Sequence, residues 1–328
     1  MRRLLWLAFF LLALVAVPLV FFDYMADIDQ TLPKAPLTVI IPDGATGRDI
    51  GNLLEARGVI RSALALDVLA RIRGERSAMK AGEFAFAPHQ TESQILDQVV
   101  SGGQQIAVWV TIPEGFTAKE IAQTLAERDL GEADLLSATF LHDTLVIDGT
   151  RTANLEGYLF PDTYLVPVTA APAEIATIMT NQFLAELPRN ADALAKRLGY
   201  TVAQIVTLAS LVEREAKADD ERPLMAGVYY NRLRLGMPLE VDATIEYTFA
   251  HHKDVITYAD LARDSPYNTY KHAGLPPTPI ANPGRASLLA AFAPQKSSYL
   301  YYVYKGNGHH AFSRTLAEHN ANVARYLH

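Results

Sequence analysis

Cysteine is absent from all 328 residues. That excludes disulfides, thiolate nucleophiles and cysteine-based zinc sites. Basic residues are the minority charge, 29 Lys and Arg against 36 Asp and Glu, for a formal net charge of -7. They are spread along the chain and form no basic stripe, which argues against a nucleic-acid partner. Adjacent histidines occur at His251-His252 and His309-His310. Neighbours on a strand or helix point to different sides, and no third ligand stands at a recognisable spacing, so neither a metal nor a cofactor is expected.

Half of the residues are hydrophobic, enough for a substantial core. A prior of roughly 150 residues per domain suggests about two domains. Arg2 and Arg3 precede 19 uncharged residues, Leu4 to Phe22, close to the ~20 that a helix needs to cross a bilayer. The following "VPLVFFDYMAD" offers no clean A-x-A cleavage site, so a retained single-pass anchor at 1–22 is expected rather than a cleaved signal. The two arginines assign the N-terminus to the cytoplasm. The rest of the chain then lies on the extracytoplasmic, periplasmic side of the cytoplasmic (inner) membrane. Residues 23–37, with Pro33 and Pro36, read as a linker.

Two later segments resemble one another. "TVIIPDGATGRDI" from Thr38 aligns with "WVTIPEGFTAKEI" from Trp109 when Pro42 is set on Pro113, an offset of 71. Each reads as strand, turn and amphipathic helix, with Thr46 three before Asp49 and Thr117 three before Glu120, the spacing of a capping box. Between them, alternating Phe84 and Phe86 suggest a strand, and a helix runs to Gly102-Gly103. Residues 38–106 therefore read as a small β-α-α-β-α module and 107–328 as a larger mixed domain, an α+β fold class.

In the larger domain, Gly199 closes one helix, and Thr201 with Gln204 opens the next through a capping box. That helix carries "LASLVEREAKADDER", Leu208 to Arg222. With Ile205 at 0°, the apolar stripe holds Leu208, Ala209, Val212 and Ala216, while Glu213 falls at roughly +80° and Glu215 at roughly −80°. A single cleft receives only one of them, and periodicity leaves the choice open. The plainer reading makes both wet border residues, with Glu213 paired to Lys217 four residues on. Asp219 and Asp220 are cap candidates ahead of Pro223. Further on, "YLYYVY" from Tyr299 reads as a core-packing strand, followed by a turn at Gly306-Asn307-Gly308, a returning strand and a closing helix.

Several stretches, in this order, carry a specific likeness: "LEGYLFPDTY", "SLVEREA", "DERPLMAGVYYNRLRLGMPLEVDATIEY", "SPYNTY", "GLPPTPIANPG" and "HHAFSRTLAEHN". The chain resembles the endolytic murein transglycosylases, the MltG or YceG-like family, over nearly its whole length. The resemblance implies a LysM-like module at 38–106, a catalytic domain at 107–328, and cleavage of the MurNAc-GlcNAc β-1,4 bond in nascent peptidoglycan strands with 1,6-anhydro ends. One carboxyl group, acting first as acid and then as base, is enough for that chemistry. The family's acid is typically followed by a small residue, which points to Glu215 before Ala216, with Glu213 as the alternate, in a supporting role or paired with Arg232. Glu156, Asn231, Asp242, Tyr267, Asn268, Thr269, Tyr270 and His310 are carried over as substrate-binding candidates. Two departures are Ala216, where relatives often have Ser or Thr, and Ala243, in place of proline after Asp242. Partners implied are glycan strands, penicillin-binding protein synthases and the wall-synthesis machinery. Two other readings remain: a muramidase-type hydrolase using Glu215 and Asp242, and a non-catalytic peptidoglycan-binding scaffold.

Overall fold

The computed structural model describes residues 37–88, 90–103, 107–249, 253 and 255–327. The expected membrane span at 4–22 and the His251-His252 pair lie outside them. Among the described residues, no helix is long and apolar enough to cross a membrane. The architecture is mixed α and β, in two compact units: one runs through Val108 and includes Val166–Ala171, the other comprises Trp109–Leu165 and Pro172–His328.

The first unit has the order β-α-α-β-α. Strand Leu37–Ile41 pairs antiparallel with Gly82–Phe86, placing Leu37 opposite Phe86 and Ile41 opposite Gly82. Alternation buries Val39 and Ile41 from one strand, Phe84 and Phe86 from the other, as a period of two requires. Helices Gly47–Ala56, Ala63–Arg73 and Glu92–Ser101 cover that face, adding Ile50, Leu54, Leu66 and Leu96 to one core. Thr46 and Thr91 each close a reciprocal capping box.

The strand-turn-helix pattern recurs in strand Ala107–Thr111, whose residues from Trp109 belong to the second unit, and helix Ala118–Ala126. Thr117 and Glu120 again form the capping box. The core of the second unit is organised by helix Val202–Glu215, opened by the Thr201–Gln204 box. Every residue from Ile205 to Val212 on that helix is buried, so it is enclosed on all sides rather than along one stripe. Helices Ala191–Leu198, Arg222–Arg234, Asp242–Glu246 and Arg285–Phe292 contribute to the same core. A hairpin follows, Tyr301–Tyr304 with His310–Ser313, in which Tyr304 faces His310 and Tyr302 faces Phe312. Helix Leu316–Tyr326 closes the chain.

Gly227 shows how tightly the core helices are clasped. It sits inside helix Arg222–Arg234, where alanine is ordinarily better by about 1 kcal/mol. Here a Cβ would lie 2.3 Å from the Gln295 carbonyl oxygen, on a segment pinned by the Gln295 N–H donating to the Pro223 carbonyl at 2.8 Å. Gly227→Ala is therefore expected to destabilise the protein by about 1–3 kcal/mol through overpacking, read by denaturant unfolding. A stabilised variant would mean that the 295 segment yields freely.

Candidate active site

The central helix ends at Glu215, and its last turn sends the two glutamates to opposite sides. Glu213 enters an ion-paired pocket. Its Oε1 accepts from Arg222 Nη1 at 3.2 Å and its Oε2 from the Gly284 N–H at 3.0 Å. The paired side chains are 5% and 9% exposed, and Arg222 also donates to Ser287 and Asp219. Nearby Glu114 has its pKa raised, first by burial and then by the negative charge of Glu213. The pairing of Glu213 with Lys217 is not formed, because the helix stops two residues earlier. Nor is the pairing with Arg232, whose guanidinium is held by the carbonyls of Pro238, Leu239 and Leu300 and by Glu240. Asp219 and Asp220 are not side-chain caps: they lie in a short 3-10 turn, Asp219–Glu221, and Asp219 binds Arg222 instead.

Glu215 meets a different environment. Its Oε2 accepts from the Tyr302 hydroxyl at 3.1 Å, and that hydroxyl lies 2.9 Å from the Tyr229 hydroxyl. With Tyr302 donating to the carboxylate, Tyr229 donates to Tyr302; with Glu215 protonated, the chain can run the other way. Burial raises the Glu215 pKa, the Tyr302 hydrogen bond opposes that rise, and the charge of Asp242 adds to it. The Ala243 backbone amide makes a smaller opposing contribution. Burial pushes Tyr229 and Tyr302 well above the ordinary tyrosine range, which keeps both as donors. A half-buried carboxyl with a raised pKa and a proton-donating partner is suited to giving up and recovering a proton near neutrality.

The other expected site residues divide. Asp242 opens helix Asp242–Glu246, is exposed, and accepts from the Tyr270 hydroxyl at 2.6 Å. Tyr270 and Asp242 thus join Glu215. Asn268 and Thr269 are buried and spent on the loop itself. Asn268 donates to the Leu261 and Arg263 carbonyls, and the Thr269 hydroxyl accepts from the Val241 N–H at 3.0 Å, holding the residue before Asp242. Tyr267 bonds Thr278 through its hydroxyl and packs its ring on Tyr247 at 5.0 Å. Asn231 donates to the Ser297 and Tyr299 carbonyls, securing the approach to the hairpin. His310 is buried, with its N–H and Nδ1 on Glu221 at 2.8 and 3.0 Å. Its ring meets the Tyr302 and Tyr304 rings edge-on.

Glu156 shares no hydrogen-bond partner with Glu215 and belongs to its own buried network. Its Oε1 accepts from the Ala118 N–H at 2.9 Å and from Asn282 Nδ2 at 3.1 Å, and its Oε2 from the Tyr247 hydroxyl at 3.2 Å. Asn282 also donates to the Phe116 carbonyl and accepts from the Gly157 and Leu159 N–H groups. Gly157 is required there: its φ is +88° and a Cβ would come within 2.4 Å of Pro279. Burial raises the Glu156 pKa from 4.5 to about 7. A raised acid makes the folded state the better proton binder, so stability falls as pH climbs from about 4.5 to 7 and is flat above. Glu156→Gln is expected to remove that slope and to be more stable than the parent at pH 8 by up to about 3 kcal/mol. Paired denaturant titrations at pH 5 and pH 8 check this; an unaltered slope would refute it.

Reading the sequence missed Tyr302, since "YLYYVY" reads as packing, and Tyr229, which lies in "GVYYNR" on the helix Arg222–Arg234. The available signal was the alternation that puts Tyr302 on the opposite strand face from Tyr301, together with the need of a buried tyrosine hydroxyl for a partner.

The YceG-like family model matches residues 39–325. The chain belongs to that family. Among its relatives is the Bacillus subtilis (strain 168) protein named endolytic murein transglycosylase, 34% identical over 313 residues, spanning 90% of this chain and 86% of the relative. A Streptococcus pneumoniae serotype 2 (strain D39) protein of the same name is 30% identical over 349 aligned positions, 94% of this chain and 62% of that protein. A crystal structure of a yceG-like protein from Listeria monocytogenes superposes with a TM-score of 0.58 at 34% identity, covering 88% of this chain and 99% of that one. The YceG-like match thus spans both compact units and all the residues just described.

Proposed function

We propose that this YceG-like chain is an endolytic murein transglycosylase in which Glu215 is the single acid and base. The reading is carried by one observation, the half-buried Glu215 carboxyl at a helix end, hydrogen-bonded by Tyr302 and with its pKa raised. The names of the relatives support the substrate class, peptidoglycan glycan strands. In the proposed step, Glu215 gives its proton to the bridging oxygen of the MurNAc-GlcNAc bond as the C1–O bond breaks. The C6 hydroxyl of the same muramoyl residue then bonds to C1, and its proton passes to the Glu215 carboxylate. The product is a 1,6-anhydro end and the acid is regenerated, with no water consumed. Tyr302 donates to the carboxylate form, and Asp242, held by Tyr270, supplies negative charge beside the positive centre.

That proximity of Asp242 also favours a second reading, a hydrolase in which Asp242 directs water to C1. Digesting glycan strands and weighing the new ends separates the two: anhydro ends support the transglycosylase, and reducing ends overturn it. The first unit is proposed as a LysM-like module on β-α-α-β-α order. A retained anchor at 4–22 with an extracytoplasmic catalytic domain, and partnership with penicillin-binding synthases, complete the proposal. Both rest on the sequence and its resemblance.

A further inference from the structure

A cavity of about 410 Å³ is lined by Arg214 and Ala243, the sequence neighbours of Glu215 and Asp242, though not by the acid itself. Its size falls within the roughly 300–1,000 Å³ of small-molecule sites. Two of its residues connect it to the site. Ala243 lines the cavity, and its backbone amide lies close enough to the Glu215 carboxyl to lower its pKa. Arg214, next to Glu215 in sequence, turns its side chain into the cavity wall. Helix Asp242–Glu246 has Asp242 at one end, beside the acid, and Glu246 at the other, on the cavity. At about 1.5 Å per residue, those ends are about 6 Å apart.

The wall chemistry is charged and mixed, with the carboxyls of Glu120, Glu156 and Glu246, the cations Lys119 and Arg214, and an aromatic side. Arg214 is held by Glu246 at 2.8 Å. Glu120 is occupied by the Thr117 N–H and hydroxyl at 2.7 and 2.9 Å. Lys119 is exposed and, among the described residues, makes no ion pair or hydrogen bond. It is a free cation at the mouth. Tyr247, packed on Tyr267, and Phe249, beneath the cations of Lys253 and Arg263, supply apolar surface. A sugar asks for hydroxyl partners and stacking, not an unpaired ammonium. A short peptide bearing carboxylates and methyl groups asks for this combination.

We infer that this cavity receives the anionic stem peptide carried on the lactyl ether of the muramoyl residue whose glycosidic bond is cut. The inference rests on the glycan-cleaving reading above. The lactyl group and the scissile C1 belong to one sugar ring, so a peptide leaving that ring beside Glu215 emerges at the cavity. Lys119 pairs with a peptide carboxylate, and Tyr247 and Phe249 cover its alanyl methyl groups. The site thereby selects strands that still carry peptides over stripped ones.

Two measurements on the full chain test this. The first titrates N-acetylmuramoyl pentapeptide and peptide-free N-acetylmuramic acid into wild type and Lys119→Glu by calorimetry. Wild type is expected to bind the peptide-bearing ligand at least about tenfold more tightly, and the variant to lose that advantage. Equal affinities in wild type, or an advantage that survives Lys119→Glu, overturn the site. The second compares kcat/KM on peptide-bearing and amidase-stripped strands, where the ratio is expected to fall about tenfold in the variant. Cleavage of both strands at one rate, with no peptide preference in binding, removes the peptide site and leaves the activity. Lys119-dependent binding without cleavage of either strand upholds the peptide site and removes the activity reading.

Discussion

Glu215→Gln is expected to lower kcat on glycan strands by about 10²–10⁴-fold, the usual contribution of a positioned acid and base, while unfolding stability is retained. The amide keeps an acceptor for the Tyr302 hydroxyl, which lies 3.1 Å from Oε2, but it has no proton to give to the leaving oxygen. Burial raises the Glu215 pKa, so the protonated acid persists to higher pH than for an ordinary carboxylate, and activity should extend toward neutrality. Activity then falls as pH rises through the pKa. Tyr302→Phe removes the hydrogen bond that favours the carboxylate, so this falling limb should move to higher pH. Strand cleavage with mass analysis of the ends, followed across pH, measures both. A Glu215→Gln protein that cleaves at the parent rate would overturn the assignment.

Glu213→Ala should have the opposite profile, a large loss of stability. The substitution strands Arg222 in a site where its side chain is 9% exposed and takes away the acceptor of the Gly284 N–H. Breaking a buried ion pair by deleting one partner costs about 3–5 kcal/mol. Denaturant midpoints quantify that loss, and activity per folded molecule should exceed that of Glu215→Gln. If Glu213→Ala kept the parent's stability and lost all cleavage, the two glutamates would have to exchange roles. The contrast is informative because the residues lie two positions apart, about half a turn, on the same helix end and so face different surroundings.

Local chemistry was legible in the sequence. The Thr46, Thr117 and Thr201 capping boxes are three-residue patterns, and all three form. So do the Phe84–Phe86 alternation and the terminal hairpin, since each depends on neighbours in the chain. The helical wheel also placed Glu213 and Glu215 on opposite borders, and in the fold they do diverge to opposite sides. Of "YNTY", however, Asn268 and Thr269 turned inward to tie their own loop, and only Tyr270 reached the acidic pair. Nothing in a tetrapeptide distinguishes these cases, because each is set by which backbone groups the loop leaves unpaired.

The sequence by itself determined the family likeness, the order of strands and helices in the first unit and at the chain's last hairpin, and a short list of residues for the site. Only the tertiary structure decided what surrounds each of them: Arg222 and Gly284 on Glu213, Tyr302 on Glu215, and Asn282 beside Glu156. The physical reason is separation along the chain. Tyr302 is 87 residues from Glu215, and Asn282 is 126 from Glu156. Helix and strand periodicities fix a residue's direction over a few neighbours, whereas the charge, burial and proton affinity of a carboxyl depend on whatever the fold brings opposite it.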